Sequence, residues 1–265
     1  MRLALGLQYD GAAFSGWQKQ AGGGTVQDTV EQALAQFAGG GPVPTVCAGR
    51  TDAGVHATYQ VVHIEPPVVR PLTAWVRGVN RYLPETAAVR WAVEVPPAFH
   101  ARFAATGRRY DYWLLNDPVR SPLLAHRTGW LARPLQLQPM REAAALLAGR
   151  HDFSAFRSAE CQAASPVREL RQLAIERFGN LLRFRLVANA FLHHMVRNLV
   201  GTLVYVGLGR QPPQWAGEVL RGRDRGAAAP TFAAAGLYLT GVEYDPAFGL
   251  PAPPDEIAPA CGARE

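Results

Sequence analysis

Over residues 2–95 the apolar pattern changes period in a fixed order: strand, helix, strand, strand, helix, strand. Leu3, Leu5, Leu7 and Tyr9 alternate, which is the two-residue period of a half-buried strand. Thr25 then caps a helix with Val26, Val30, Leu34 and Phe37 on one face, and Gly39–Gly41 stops it. Strands are expected at 42–48 and 58–65, a second helix at 71–82 and a fourth strand at 87–95. That order is a split βαβ, ferredoxin-like unit. The chain after residue 106 reads as a second α/β half with insertions. It has strands at 108–115, 169–177, 181–190 and 236–244, and helices at 139–147, 191–206 and 212–220. The expected organisation is an N-terminal half over 1–105, a C-terminal half over 106–245 and a proline-rich, frayed tail over 246–265.

Composition narrows the partners. Apolar residues make up 48% and charged residues 18%, a balance that supports a buried core and argues against disorder. The net charge of +6 points weakly to a polyanion. The first 105 residues carry 8 basic and 7 acidic groups, so most of the excess lies in the second half. Lys19 is the sole lysine, which excludes a P-loop ending in Gly-Lys-Ser/Thr. Cys47, Cys161 and Cys261 are odd in number and widely spaced, unlike a disulfide framework or a zinc site. Cys47 reads as a buried strand cysteine rather than a nucleophile. The seven histidines form no metal pattern, and His193 and His194, read as helical neighbours, point in different directions. No signal peptide and no run of about eighteen apolar residues is seen, so a soluble, cytoplasmic protein is expected.

Gly49-Arg50-Thr51-Asp52-Ala53-Gly54-Val55-His56-Ala57 carries the chemistry. It sets an arginine and a carboxylate two positions apart in a small-residue loop between two strands, where functional residues concentrate. By spacing alone a hairpin turn explains it better than a catalytic site, because Asp bonds its own backbone and Gly accepts positive φ. The full string resembles the signature loop of the TruA family of tRNA pseudouridine synthases. Further segments extend the likeness in family order: Tyr9-Asp-Gly with Phe14-Ser-Gly-Trp-Gln18, Phe99-His-Ala-Arg-Phe103, Arg109-Tyr-Asp-Tyr112, Phe191-Leu-His-His-Met-Val-Arg-Asn198 and Gly236-Leu-Tyr-Leu239.

The resemblance implies an α+β fold of two ferredoxin-like halves fused around a mixed, mainly antiparallel sheet, with the active-site cleft between them. It implies isomerisation of uridine to pseudouridine at tRNA positions 38, 39 and 40, by a homodimer with no cofactor and no metal. Asp52 would be the catalytic nucleophile, and Arg197 its ion-pair partner. Tyr110 would stack on the target uracil, its hydroxyl a candidate for handling the C5 proton. Burial raises the pKa of a carboxylate, so such a site requires a fixed cation. Without the resemblance Arg197 is as well explained as a solvent-facing helix arginine, and Tyr110 as a half-buried strand aromatic. Arg50 would face phosphate or help to flip the base. His56 would contact substrate or serve a structural role. Asp10 and residues 14–18 would border the RNA cleft, with turn formation as the competing explanation. Tyr112 is taken as an ordinary core aromatic. The contrasting reading is a non-catalytic RNA-binding module, since sheets of this kind bind RNA without chemistry.

Overall fold

The computed structural model describes residues 1–254 of the 265. In chain order the elements are β1 (Arg2–Tyr9), α1 (Val26–Ala38), β2 (Val46–Cys47), β3 (His56–Ile64), α2 (Leu72–Asn80), β4 (Ala87–Val95) and β5 (Gly107–Asn116). They continue with β6 (Gly129–Leu131), α3 (Leu137–Leu147), β7 (Gly149–Asp152), β8 (Val167–Phe178), β9 (Leu181–Ala188), α4 (Met195–Gly207), α5 (Pro213–Gly222) and β10 (Leu237–Glu243). The fold is α+β, and its strand pairings are mainly antiparallel, with parallel exceptions at β3–β10 and β5–β6. No helix among the described residues is long and apolar enough to cross a membrane. Among the described residues two compact units are formed: Met1–Thr106 together with 238–254, and Gly107–Leu237.

The first unit has the strand order β4-β1-β3, with β2 on the far edge of β3. This is the ferredoxin-like arrangement expected from residues 2–95. Leu3, Leu5 and Leu7 lie opposite Ile64, Val62 and Gln60, so the alternation of β1 places one apolar stripe on one face. Thr25 caps α1 by accepting from Asp28 N, and Gly39 ends the helix in the left-handed region at φ 106°. Phe37 of α1 meets Trp75 of α2 edge-on at 5.0 Å. A side chain at Gly78 would overlap the Phe37 ring, so this glycine permits the close approach of the two helices.

Every residue of β3 is buried, although its sequence mixes His, Thr and Gln with apolar residues. The cover on the second face comes from segments that sequence reading treated as a connection and a tail. Phe99 packs against Tyr244 at 5.2 Å and Phe248 at 5.1 Å, and Tyr59 donates its hydroxyl to the carbonyl of Pro251. Pro246–Phe248 forms a 3-10 turn capped by Asp245. The tail is therefore tied down as far as Pro251 rather than frayed from residue 246, and residues 255–265 lie outside the described residues. β10 also differs from expectation in its company. It runs parallel to the start of β3, pairing Tyr238 with His56 and Leu239 with Ala57.

The second unit contains the antiparallel order β5-β9-β8-β7, with β6 parallel to β5. Helix α3 packs on α4, α5 and β8. Sequence reading missed β6 and β7, which are three and four residues long, too short to show a period. It also began α4 four residues early. Residues 193–194 form a turn, and His194 takes the left-handed conformation at φ 63° as the residue before the helix. The two histidine rings are consequently side by side, 4.0 Å between centroids, not splayed around a helix.

Candidate active site

In the first unit the Asp52 loop is pinned from below by buried polar groups. Gln60 is fully buried on β3; its Nε2 donates to the carbonyl of Gly49 at 2.6 Å, and its Oε1 accepts from Gly49 N at 3.4 Å. Thr51 Oγ1 shares a hydrogen bond with the Tyr9 hydroxyl at 2.8 Å, and Thr51 O accepts from Trp17 N at 2.9 Å. The pairing of β1 with β3 shifts register between Leu7 and Tyr9, a bulge that re-aims Tyr9 toward the loop. Beyond Thr51 the chain turns: Val55 N donates to Asp52 O at 3.1 Å, with Gly54 at φ 76°. Gly in that third position is what a type II turn requires.

Asp52 is therefore half-buried at the first position of a tight turn, and Arg50 is exposed just before it. His56 is only 3% exposed. Its ring stacks on Tyr238 at 4.5 Å, and its Nδ1 lies 3.0 Å from Gly11 N and 3.1 Å from Asp10 Oδ1. Asp10 also accepts from Ala12 N at 3.0 Å and caps the 3-10 turn Gly11–Ala13. So Asp10 forms a turn and meets His56. Two glycines of the same segment seat it against the loop: a Cβ at Gly11 would lie 2.0 Å from Val55 O, and one at Gly16 would lie 2.9 Å from Thr51 O. Cys47, buried on β2, has its thiol pushed up to about 12 by burial, with Arg50 and Arg102 pulling it down only in part. A thiol held protonated in this way is no nucleophile.

In the second unit β5 carries both motif tyrosines on one face, since they are two residues apart. Tyr110 is 8% exposed and meets Phe191 edge-on at 5.1 Å. Tyr112 is fully buried, donates its hydroxyl to Ala233 O at 2.9 Å, and lies edge-on to Phe184 and Phe232. Burial raises the pKa of its hydroxyl, against a lowering from Arg197. Arg197 is half-buried in the first turn of α4, and its Nε donates to Phe232 O at 2.8 Å. The next residue, Asn198, is fully buried, donating to Phe156 O at 2.7 Å and accepting from Thr231 Oγ1 at 2.7 Å and Arg225 at 3.1 Å. That network fixes the start of α4 and with it the position of Arg197.

The first unit thus assembles Arg50, Asp52 and His56 on one loop, and the second sets Arg197 beside Tyr112, two residues along β5 from Tyr110. Sequence reasoning missed the supports: Gln60, the Tyr9–Thr51 pair, Tyr238 and the ion pair of Asp111 with Arg185. The last is bidentate, with both contacts at 2.9 Å, and Asp111 is 1% exposed. A carboxylate in the middle of a strand otherwise rich in apolar residues was the available signal.

The first unit thus offers a half-buried carboxylate on a rigid loop with an exposed arginine beside it, and the second a strand aromatic held edge-on; similarities to known proteins give the family. A family model described as tRNA pseudouridine synthase matches residues 7–104 and 143–245. The chain belongs to that family, and with it is an isomerase. It is 59% identical to tRNA pseudouridine synthase A of Dechloromonas aromatica over 97% of this chain and 98% of that one. It is 61% identical to the protein of that name from Methylibium petroleiphilum, over 95% and 96% of the two chains. The one from Paraburkholderia phymatum is 58% identical over 95% and 94%.

Proposed function

We propose that this protein converts uridine to pseudouridine at positions 38, 39 and 40 of the tRNA anticodon stem-loop, with Asp52 as the catalytic carboxylate. The observation that carries the reading is the Asp52 loop. Its carboxylate stands half-buried on a turn held by Gln60, Tyr9 and Trp17, within a chain of the tRNA pseudouridine synthase family. The reaction breaks the N1–C1′ bond of uridine, turns the uracil and joins C5 to C1′. The hydrogen leaves C5 and N1 gains one, so nothing is oxidised and the product has the mass of the substrate. A carboxylate suits the cleavage step, as it does in glycoside chemistry.

The remaining roles belong to the same reading. Tyr110 is the platform for the flipped uracil, since the reacting bonds are unreachable in a stacked stem. Arg197 is the proposed ion-pair partner of Asp52. Exposed Arg50 meets the backbone phosphate. His56, buried and stacked on Tyr238, acts by positioning the loop rather than by touching substrate. The enzyme works as a cytoplasmic homodimer on tRNA.

The test uses unmodified tRNA with the wild type and with Asp52→Asn, an isosteric change that removes the carboxylate chemistry. Carbodiimide labelling is expected to find a mass-silent product at the three positions with the wild type. With Asp52→Asn it should find none, while tRNA affinity stays within about threefold, as a residue acting mainly in the transition state requires. Wild-type binding without conversion would show an RNA-binding module instead. Substantial product from Asp52→Asn would remove Asp52 from catalysis.

A further inference from the structure

A second basic feature lies in the second unit, away from the Asp52 loop in sequence. Where β7, β8 and the end of β9 meet, Arg150, Ser165, Val167, Arg168, Glu169 and Asn189 line a cavity of about 340 Å³. Arg168 is built into its wall. Its NH1 donates to Ser165 O at 2.9 Å and to Val167 O at 2.6 Å, which fixes the plane of the guanidinium. Its Nε is buried and has no hydrogen-bond partner among the described residues. Leaving a charged donor buried and unmatched costs free energy, so an unmatched one points to a water or an ion that completes it. Burial lowers the pKa of Arg168, Cys161 opposes this and Arg108 adds to it in smaller measure, yet an arginine stays charged in proteins. Arg150 adds a second, exposed guanidinium at the cavity. The acidic lining residue, Glu169, has its carboxylate drawn to Arg171 at 3.5 Å.

We propose that this cavity is an oxyanion site that holds a phosphodiester of the RNA substrate close to the base that reacts. It rests on the reading of Tyr110 given above. Two links tie the cavity to Tyr110. Arg108 donates to Asn189 O at 3.0 Å, and it precedes Tyr110 by two residues on the same face of β5, about 7 Å along the strand. Asn189, on the other side, precedes by two residues the Phe191 whose ring meets Tyr110. Both links run through Asn189, which lines the cavity with Arg168, so the proposal seats in it a phosphate adjoining a base stacked at Tyr110. Guanidinium groups suit such an anion, because a planar fork of donors matches two phosphate oxygens.

The experiment compares Arg168→Gln and Arg150→Gln with Arg77→Gln, which removes the same charge from the exposed face of α2 in the first unit. Binding of unmodified tRNA is measured across a salt series, and melting of each protein is followed with and without inorganic phosphate. Arg168→Gln is expected to weaken tRNA binding about tenfold and to reduce the slope of log affinity against log salt by about one. Arg77→Gln should change affinity by less than about twofold. Phosphate should raise the melting temperature of the wild type and not that of Arg168→Gln. If Arg168→Gln does not fold, Arg150→Gln carries the same expectations, and Arg168→Lys, which keeps the charge without the fork, should fall between it and the wild type. Equal effects of the pocket and Arg77 changes, or a phosphate response that survives Arg168→Gln, would overturn the site. Conversion of tRNA by the wild type tests the enzymatic reading separately. Conversion with an indifferent pocket sinks only this proposal. A phosphate response without conversion upholds the anion site and sinks the enzymatic reading.

Discussion

At the scale of single residues, the proposed function gives Tyr110 two separable roles. Stacking needs its ring, and moving the C5 proton needs its hydroxyl. Tyr110→Ala is expected to lose the platform, about 1–3 kcal/mol by analogy with other base-stacking aromatics. Tyr110→Phe keeps the edge-on contact to Phe191 and loses only the hydroxyl. We expect Phe to be slower than the wild type but faster than Ala in single-turnover conversion of tRNA. Wild-type rates in Ala would take Tyr110 out of the site. Tyr112 is a poor substitute, because its hydroxyl is committed to Ala233 O and its ring is fully buried. Asp111, between them, is a different kind of residue. Removing one partner of a buried ion pair strands the other, so Asp111→Ala should cost about 3–5 kcal/mol in denaturant unfolding. The pair of Arg183 with Glu176, whose carboxylate side chain is 46% exposed, is the comparison. Glu176→Ala should cost no more than about 1 kcal/mol. Similar losses from the two substitutions would contradict the burial argument.

At the scale of elements, the Asp52 loop depends on a second segment that closes over it. Residues 10–17 reach the loop through Gly11 against Val55 O, Gly16 against Thr51 O, and Trp17 N bonded to Thr51 O. A methyl group at Gly11 would meet backbone, which cannot swing aside as a side chain can. Gly11→Ala is therefore expected to destabilise the protein by about 1–3 kcal/mol. It should slow conversion by roughly 10–100-fold, because small misplacements of a catalytic group are costly. Thermal melting and single-turnover rates measure the two effects independently. An Ala variant with unchanged melting and rate would show that the contact between the segments is loose. Much of this arrangement was legible. The Tyr9–Gln18 and Gly49–Ala57 strings were both recognised, and the split βαβ order was read from period changes alone. Their mutual packing was not, since contact between residues 11 and 55 leaves no periodic trace.

At the scale of the whole molecule, the first unit contains a histidine whose titration is linked to folding. His63 is buried on β3, and its Nδ1 accepts from Ala101 N at 3.2 Å. Burial first, then Arg2 and His100, lower its pKa from 6.5 to about 4, against a smaller raising by Glu65. The unfolded chain therefore binds a proton near pH 6.5 that the folded chain takes up only near pH 4. Stability contributed by neutral His63 is complete above the unfolded value and is lost as pH falls through this window. Melting temperature is expected to drop as pH falls from 6.5 to about 4, and the drop should shrink in His63→Gln. An identical pH dependence in the variant would show that other groups dominate.

The local sequence determined the strands and helices with long, clean periods, the caps at Thr25 and Gly39, the turn at Asp52 and the family to which the chain belongs. These depend on neighbours within a few residues, so each is written in one short stretch. Only the tertiary structure decided what covers β3, why His56 is buried, where α4 begins and which polar groups hold the Asp52 loop. The packing of residues 99 and 244–251 covers β3, and its histidines and glutamine become internal struts. α4 lost its first turn because His194 takes a left-handed conformation before Met195, a choice made by its surroundings and not by its propensity. Burial and partnership are relations between distant residues. A pattern read along one strand or helix supplies one side of each relation, and the fold supplies the other.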